Sequence, residues 1–366
     1  MLNFHSKTSL IAFYLPQYHP IPENDAWWGK GFTEWTNVTK ARPLFSGHYQ
    51  PHLPTDLGFY DLRVPEVREM QAELAKAYGI YGFCYYHYWF HGKRLLERPL
   101  DEVLASGKPD FPFCLCWANE SWSRNWDGLD REVLIRQEYS EEDNKQHIRW
   151  LANVFNDSRY IRINGKPLFL VYRASKVKDA LKMTQTWREE LPKYGINDIF
   201  LCRVESRSDE KEDPTLIGFD ASVEFQPDWE NLGRPLQTGK HWELARRIGL
   251  ANSSYKQNRI YNYSDIVQKM LAKPEPSYRQ FYCVTPAWDN TPRRKSGAII
   301  LKDSTPQLYE HWLKTAIDKT LSKGTEENLV FINAWNEWAE GSHLEPCQKW
   351  EKAYLEATLR ALWAEH

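Results

Sequence analysis

The residues best equipped for chemistry lie near the C-terminus, in the segment 329–346, LVFINAWNEWAEGSHLEP, where Glu337 and Glu340 stand three apart. Two carboxyl groups at one site are the minimum equipment for breaking a glycosidic bond, one as acid on the departing oxygen and one as base or nucleophile. On a continuing strand, side chains three apart point to opposite faces. For the pair to converge, the chain must turn after Asn336, and Gly341 supplies the backbone freedom for such a turn. Residue type and spacing also allow the plainer reading, in which one of the two is a surface residue or an ion-pair partner.

Further candidates cluster at the ends of apolar runs. Tyr86, His87 and Tyr88 close one run, where only alternate side chains can face a common site. Trp117, Asn119, Glu120, Trp122, Arg124 and Trp126 follow the next. Amides and carboxylates there can hydrogen-bond sugar hydroxyls while an indole covers an apolar sugar face. Glu120 is a rival catalytic carboxylate. Trp288 and Asp289 close a late run, with Arg293 and Arg294 behind them. Those arginines suit an acidic sugar or a phosphate, and equally suit ordinary loop ion pairs. Tyr14, Gln17, Glu34 and Trp35 belong to the first run and the long loop after it. With Asn336, these residues are the expected sugar contacts. His87 and His91 are four apart, a spacing that converges only on a helix, and H-E-x-x-H is absent. No metal and no cofactor are expected.

The elements that must position these groups alternate. Eight near-continuous apolar runs, 9–15, 82–88, 113–117, 168–172, 199–204, 221–225, 281–286 and 329–334, read as parallel strands covered on both faces. Amphipathic segments 65–78, 141–155, 176–193, 305–322 and 349–364 read as helices, the first opened by Pro65 and closed by Gly79, the second with three acids in its first turn. Eight strands alternating with helices predict an α/β fold, a single (β/α)8 barrel over residues 1–366, with long loops after the first and sixth strands, 17–61 and 227–279. Active sites of this architecture form at the strand C-terminal ends, where both loops fall. A doubly wound sheet is the alternative, but its Gly-rich phosphate turn is missing.

Composition narrows the partners. The net charge of −2 gives no reason to expect nucleic acid or an anionic membrane. No apolar stretch approaches membrane-spanning length, and the run at Leu10–Leu15 is too short for a signal sequence, so no stable membrane insertion is expected and the chain reads as cytoplasmic. The six cysteines, 84, 114, 116, 202, 283 and 347, contain no C-x-x-C pair and read as reduced, buried thiols. Oligomeric state is not legible.

Beyond these features, Asn336, Glu337, Trp338, Glu340 and Gly341 resemble the N-E-W-x-E-G motif of glycoside hydrolase family 99, the endo-acting α-mannosidases. More widely, IAFYLPQYHP at Ile11, GFTEW at Gly31, GFCYYHYWF at Gly82, CWANESWSRNWDG at Cys116 and PAWDNTPRR at Pro286 make the whole chain similar to the WbsX-like proteins of bacterial O-antigen and polysaccharide gene sets. Where the mannosidases carry His between the Trp and the second Glu, this chain has Ala339, a departure that bears on sugar specificity. The resemblance implies a retaining mechanism in which the substrate is its own nucleophile. The first Glu (Glu337 here) deprotonates the sugar 2-hydroxyl, which closes as a 1,2-anhydro sugar, and the second (Glu340) protonates the departing oxygen. Such a division asks for Glu340 protonated and Glu337 ionised. It also leaves two alternatives: a glycosyltransferase of polysaccharide synthesis, although no D-x-D occurs, and a glycan-binding barrel without catalysis.

Overall fold

The computed structural model describes residues 7–124, 129–236, 242, 244, 248, 253–324 and 327–363. Each apolar run contains one barrel strand: β1 (Ser9–Tyr14), β2 (Ile80–Phe90), β3 (Phe113–Trp117), β4 (Lys166–Val171), β5 (Phe200–Val204), β6 (Ala221–Val223), β7 (Gln280–Val284) and β8 (Leu329–Ile332). Neighbours in chain order pair in parallel, and β1 pairs with both β2 and β8, so the sheet closes. Strands such as β3 and β8 are buried at every position. That explains the unbroken apolar runs: inward side chains fill the barrel and outward ones meet the helices.

Among the described residues seven helices cover the outside: α1 (Pro65–Ala77), α2 (Arg98–Ser106), α3 (Glu141–Phe155), α4 (Ala180–Glu190), α5 (Tyr263–Leu271), α6 (Pro306–Ser322) and α7 (Ala353–Trp363). Between β5 and β6 a 3-10 turn, Pro214–Ile217, takes the helix's place. Their ends follow from sequence. The Ser140 hydroxyl accepts from Asp143 N at 3.1 Å at the start of α3, and the Thr305 hydroxyl accepts from Leu308 N at 3.3 Å at the start of α6. The helix expected over 176–193 is shorter, because the Asp179 side chain caps it at Lys182 N and Pro192 turns its end into 3-10 geometry. The structure adds two helices, α2 and α5, that the sequence pattern does not predict. In α2 the apolar stripe is brief, and α5 lies inside the stretch taken as a loop.

The long connections all leave the C-terminal ends of strands. The β1–α1 connection carries short helices Pro22–Trp28 and Glu34–Lys40. After β3, Trp122–Arg124 pairs antiparallel with Leu129–Ile135. Beyond β6 and β7, Arg259–Asn262, Ile299–Lys302 and Trp288–Asp289 form a three-stranded sheet at the rim. All six cysteines are free and buried. Among the described residues no helix is long and apolar enough to cross a membrane.

The barrel wall is tightest at Gly82 on β2, where an added Cβ would lie 2.6 Å from the Pro112 carbonyl oxygen and 2.9 Å from Ile161 Cδ1. That carbonyl already receives Phe83 N at 3.0 Å and cannot retreat freely. Gly82→Ala is therefore expected to destabilise the protein by about 1–3 kcal/mol through overpacking. Urea denaturation should show a lower midpoint at unchanged slope. An unshifted midpoint would contradict this account of the wall.

Candidate active site

After β8 the chain makes the turn its sequence requires. Asn336–Glu337 pairs antiparallel with Ser342–His343, and a single 3-10 turn, Trp338–Glu340, joins them. Gly341 closes the turn at φ +60°, and a Cβ there would sit 3.1 Å from both Cβ and N of Asp289. A side chain would meet strain and crowding together. This hairpin is what lets Glu337 and Glu340, three apart, face one cleft.

The hairpin is fixed from below. Asn336 Oδ1 accepts from Leu15 N at 2.7 Å, and its Nδ2 donates to Leu15 O at 3.1 Å, stitching β8 to the end of β1. The Tyr18 hydroxyl donates to Asn336 O and accepts from Trp338 N. Trp338 stacks on His343 at 3.8 Å and packs against Trp35. Its Nε1 donates to Glu345 Oε2 at 2.6 Å. Glu345 is only 2% exposed and also accepts from Gln71 and Tyr60. Burial pushes Glu345 up to about 7 despite these bonds.

The two carboxylates converge on one cation. Arg293 Nη2 lies 2.9 Å from Glu337 Oε2 and Nη1 2.7 Å from Glu340 Oε1, while Nε binds Glu34 Oε1 at 2.9 Å. Three carboxylates on one guanidinium would leave an excess of negative charge if all were ionised. Burial, with the charges of Glu340 and Glu34 added and Arg293 opposing, pushes Glu337 up to about 8. Burial also raises Glu340, again against Arg293. Both carboxyls are thus raised by burial, and a proton they retain belongs to the pair and not to either group alone.

Above the pair opens a cleft of about 340 Å³. Every strand end contributes to it: Leu15 and Gln17 after β1, Tyr86 and Tyr88 on β2, Glu120 and Trp122 after β3, Tyr172 after β4, Arg207 after β5, Phe225 and Trp229 after β6, Trp288, Asn290, Arg293 and Arg294 after β7, Glu337 and Glu340 after β8. Trp28 and Asn24 come from the first long loop. The ring-rich wall with interspersed polar groups is suited to sugars.

Several expected contacts lie elsewhere, each for a local reason. Tyr14 and Trp117 are core residues, their polar atoms donating to Gln71 and to Trp89 O. Trp35 is packed under Trp338 and donates to Tyr60 O. His87, out of phase with Tyr86 and Tyr88, faces outward against Trp150 and lies 3.0 Å from His147. Asn119 braces Arg173 through both N and O of that residue. Arg124 pairs with Glu132 and lies over Trp28. Glu34 and Asn336 are fully buried behind the cleft, holding Arg293 and Leu15. Asp289 faces a separate cavity of about 70 Å³. It accepts from Gln50 and from His48 Nε2, whose Nδ1 takes Leu44 N. Burial opposes ionisation of Asp289, but these bonds win and hold it below the usual carboxylate range. Glu120 does line the cleft, yet it is paired with Arg173 at 2.9 Å. Trp126 lies outside the described residues. Unforeseen were Trp28, Tyr172, Phe225 and Trp229. Tyr172, Phe225 and Trp229 follow strands by a few residues and Trp28 ends a short helix in the first long loop, but nothing in their type marks them apart from core aromatics.

Comparison with known proteins shows the family and the fold. The family described as Glycosyltransferase WbsX matches residues 10–358. "Uncharacterized protein WxcX" of Xanthomonas campestris pv. campestris strain B100 is 44% identical over 355 residues, covering 97% of this chain and 49% of the relative. This chain thus spans about half the length of the curated relatives it matches. Among solved structures, the GH99 endo-α-mannosidase of Bacteroides thetaiotaomicron is similar with TM-score 0.54 and 16% identity over 97% of this chain and 96% of that one. A glycoside hydrolase-like protein gives 0.58 and 14% over 99% and 96%. These likenesses show the barrel fold.

Removing the shared cation should expose the charge imbalance. Arg293→Met leaves three buried carboxyls without a counter-ion, at a cost of about 3–5 kcal/mol at neutral pH. The folded-state pKa values of Glu337 and Glu340, already raised, then rise further above the unfolded ones. The variant should therefore be nearest to wild type around pH 5, where the carboxyls can stay protonated, and fall behind progressively towards pH 8. Denaturation at the two pH values checks this; a deficit that shrinks with rising pH would refute it.

Proposed function

This chain belongs to the WbsX glycosyltransferase family, a family of carbohydrate-active enzymes, and on that premise we propose that it cleaves or transfers glycosidic bonds of an oligo- or polysaccharide, using Glu337 and Glu340 as its proton-transferring pair. The observation that carries the reading is the pair itself: two carboxyls bridged by Arg293 at the floor of an aromatic cleft.

The chemistry follows from one proton held between two groups. A sugar lies over the pair with its faces against rings such as Tyr86, Tyr88 and Trp288. Glu340 gives its proton to the departing glycosidic oxygen. Glu337, ionised in that state and held by Arg293, takes the proton of the 2-hydroxyl. The freed oxygen closes on the anomeric carbon as the exocyclic bond breaks, giving a 1,2-anhydro sugar. Glu340, now ionised, removes a proton from an incoming water as it opens the small ring, and Glu337 returns its proton to O2. Two inversions retain configuration, and no bond to the protein forms. If an acceptor sugar hydroxyl takes the place of water, the same steps yield transfer, in keeping with the family's description. That both carboxyls are raised in the free site does not oppose this, because a coupled pair passes through both microstates.

Activity should then fall on the alkaline side with an apparent pKa near 8, as the shared proton leaves and no acid remains. Glu340→Gln should cost about 10²- to 10⁴-fold on substrates with poor leaving groups and much less on an activated aryl glycoside, whereas Glu337→Gln should depress both alike. A glycosyl ester on either Glu, found by mass spectrometry, would replace this mechanism with ordinary two-carboxylate retention. Sugar transfer from a nucleotide donor that survives both substitutions would remove the pair from the reaction.

A further inference from the structure

The cleft carries six ionisable acidic or basic residues, Glu120, Arg207, Arg293, Arg294, Glu337 and Glu340. The carboxylates are all matched. Glu120 is paired with Arg173, and Glu337 and Glu340 with Arg293. Arg293 is in turn committed to three carboxylates at once. Arg207 and Arg294 differ: neither guanidinium has a hydrogen-bond or ion-pair partner among the described residues. Arg294 acts on Glu340 only through space, as Arg207 does on Tyr172.

An unpaired arginine on open surface is solvated and needs no explanation. One lining a concave site is different, because a ligand that fills the cleft displaces the water around it and lowers the local dielectric. A wholly neutral glycan would leave both charges facing hydroxyls. Topology sharpens the point. Arg207 follows β5 and Arg294 follows β7, so in barrel order they bracket the β6 connection, whose Phe225 and Trp229 line the same cleft. Two aromatic rings and two unpaired guanidiniums, supplied by three successive connections, thus line one cleft. Arginine matches the geometry of carboxylate and phosphate oxygens.

We infer that Arg207 and Arg294 form an anion subsite beside the carboxylate pair, so that the glycan accepted by this cleft bears a carboxylate or phosphate substituent. The inference rests on the carbohydrate reading of the cleft, and it adds the chemical class of the substrate. It does not require that the bond-cleaving steps be as described.

The test uses binding to the full chain, measured by ligand-detected NMR at low salt with three probes on one ring: glucose, glucuronate and glucose 6-phosphate. At least one anion should bind about tenfold or more tightly than glucose, the range expected for a charge-assisted pair. The advantage should shrink with added salt. It should drop below about threefold in Arg207→Gln/Arg294→Gln, whose melting temperature should match wild type because both side chains are exposed and unpaired. Whichever anion binds more tightly identifies the source, an acidic sugar or a phosphorylated one. Anions that bind no better than glucose, or an advantage that persists in the double variant, would overturn the inference. Arginine-dependent anion binding by a protein that cuts no glycan would leave the subsite standing and count against the catalytic reading alone.

Discussion

Everything at the mouth of this barrel is organised around the guanidinium of Arg293. It draws Glu34 from the first loop, Glu337 and Glu340 from the last, and is itself supplied by the seventh, so a single side chain ties three connections that the barrel brings side by side. Carboxylates of this kind would repel one another if they were gathered without a cation. With one cation they are gathered but under-neutralised. That is a state in which a proton is retained, because the alternative is uncompensated charge in a buried place.

The cation can do this only if its carboxylates arrive in register, and that depends on neutral contacts beneath. Asn336 uses its amide as a two-way clamp on the Leu15 backbone, an exchange normally made between strands, at the point where β8 has ended and ladder bonding to β1 has run out. The Tyr18 hydroxyl then binds Asn336 O and Trp338 N, and Glu345 anchors the Trp338 ring from the far side. Of these residues only Leu15 lines the cleft. They explain why the whole segment Asn336–Glu345 reads as unusual in sequence, although only two of its residues carry the carboxyls that face the cleft.

How far sequence reached follows from the same distinction. The barrel was legible because its strands are buried on both faces and so appear as apolar runs, with helices between that carry caps and prolines. The helix α5 was not, because Tyr, Asn and Lys around it match a loop composition, and its burial against the barrel is a tertiary fact. At the site, the turn after Asn336 could be inferred, since two carboxylates three apart converge only through a turn. The cleft-lining residues were legible only by period. On β2 alternation picks Tyr86 and Tyr88, and puts His87 outside. In loops there is no period, so Trp35, Asn119 and Asp289 look as available as Trp28 and Trp229, and only packing separates brace from lining.

The same contrast bears on what the carboxyl pair means. A free site in which burial raises both Glu337 and Glu340 does not assign an acid and a base by itself. Two groups on neighbouring nitrogens of one guanidinium exchange roles cheaply, since moving the proton from one to the other leaves the total charge and the cation unchanged. What breaks the symmetry is the substrate. A departing oxygen on one side attracts the proton to the carboxyl nearest it, and a hydroxyl on the other side attracts the charge. Arg293 keeps both outcomes accessible, so the direction of proton flow is set by how the sugar is seated. Under the proposed function, the rings and unpaired arginines of the cleft would therefore have a part in catalysis as well as in affinity.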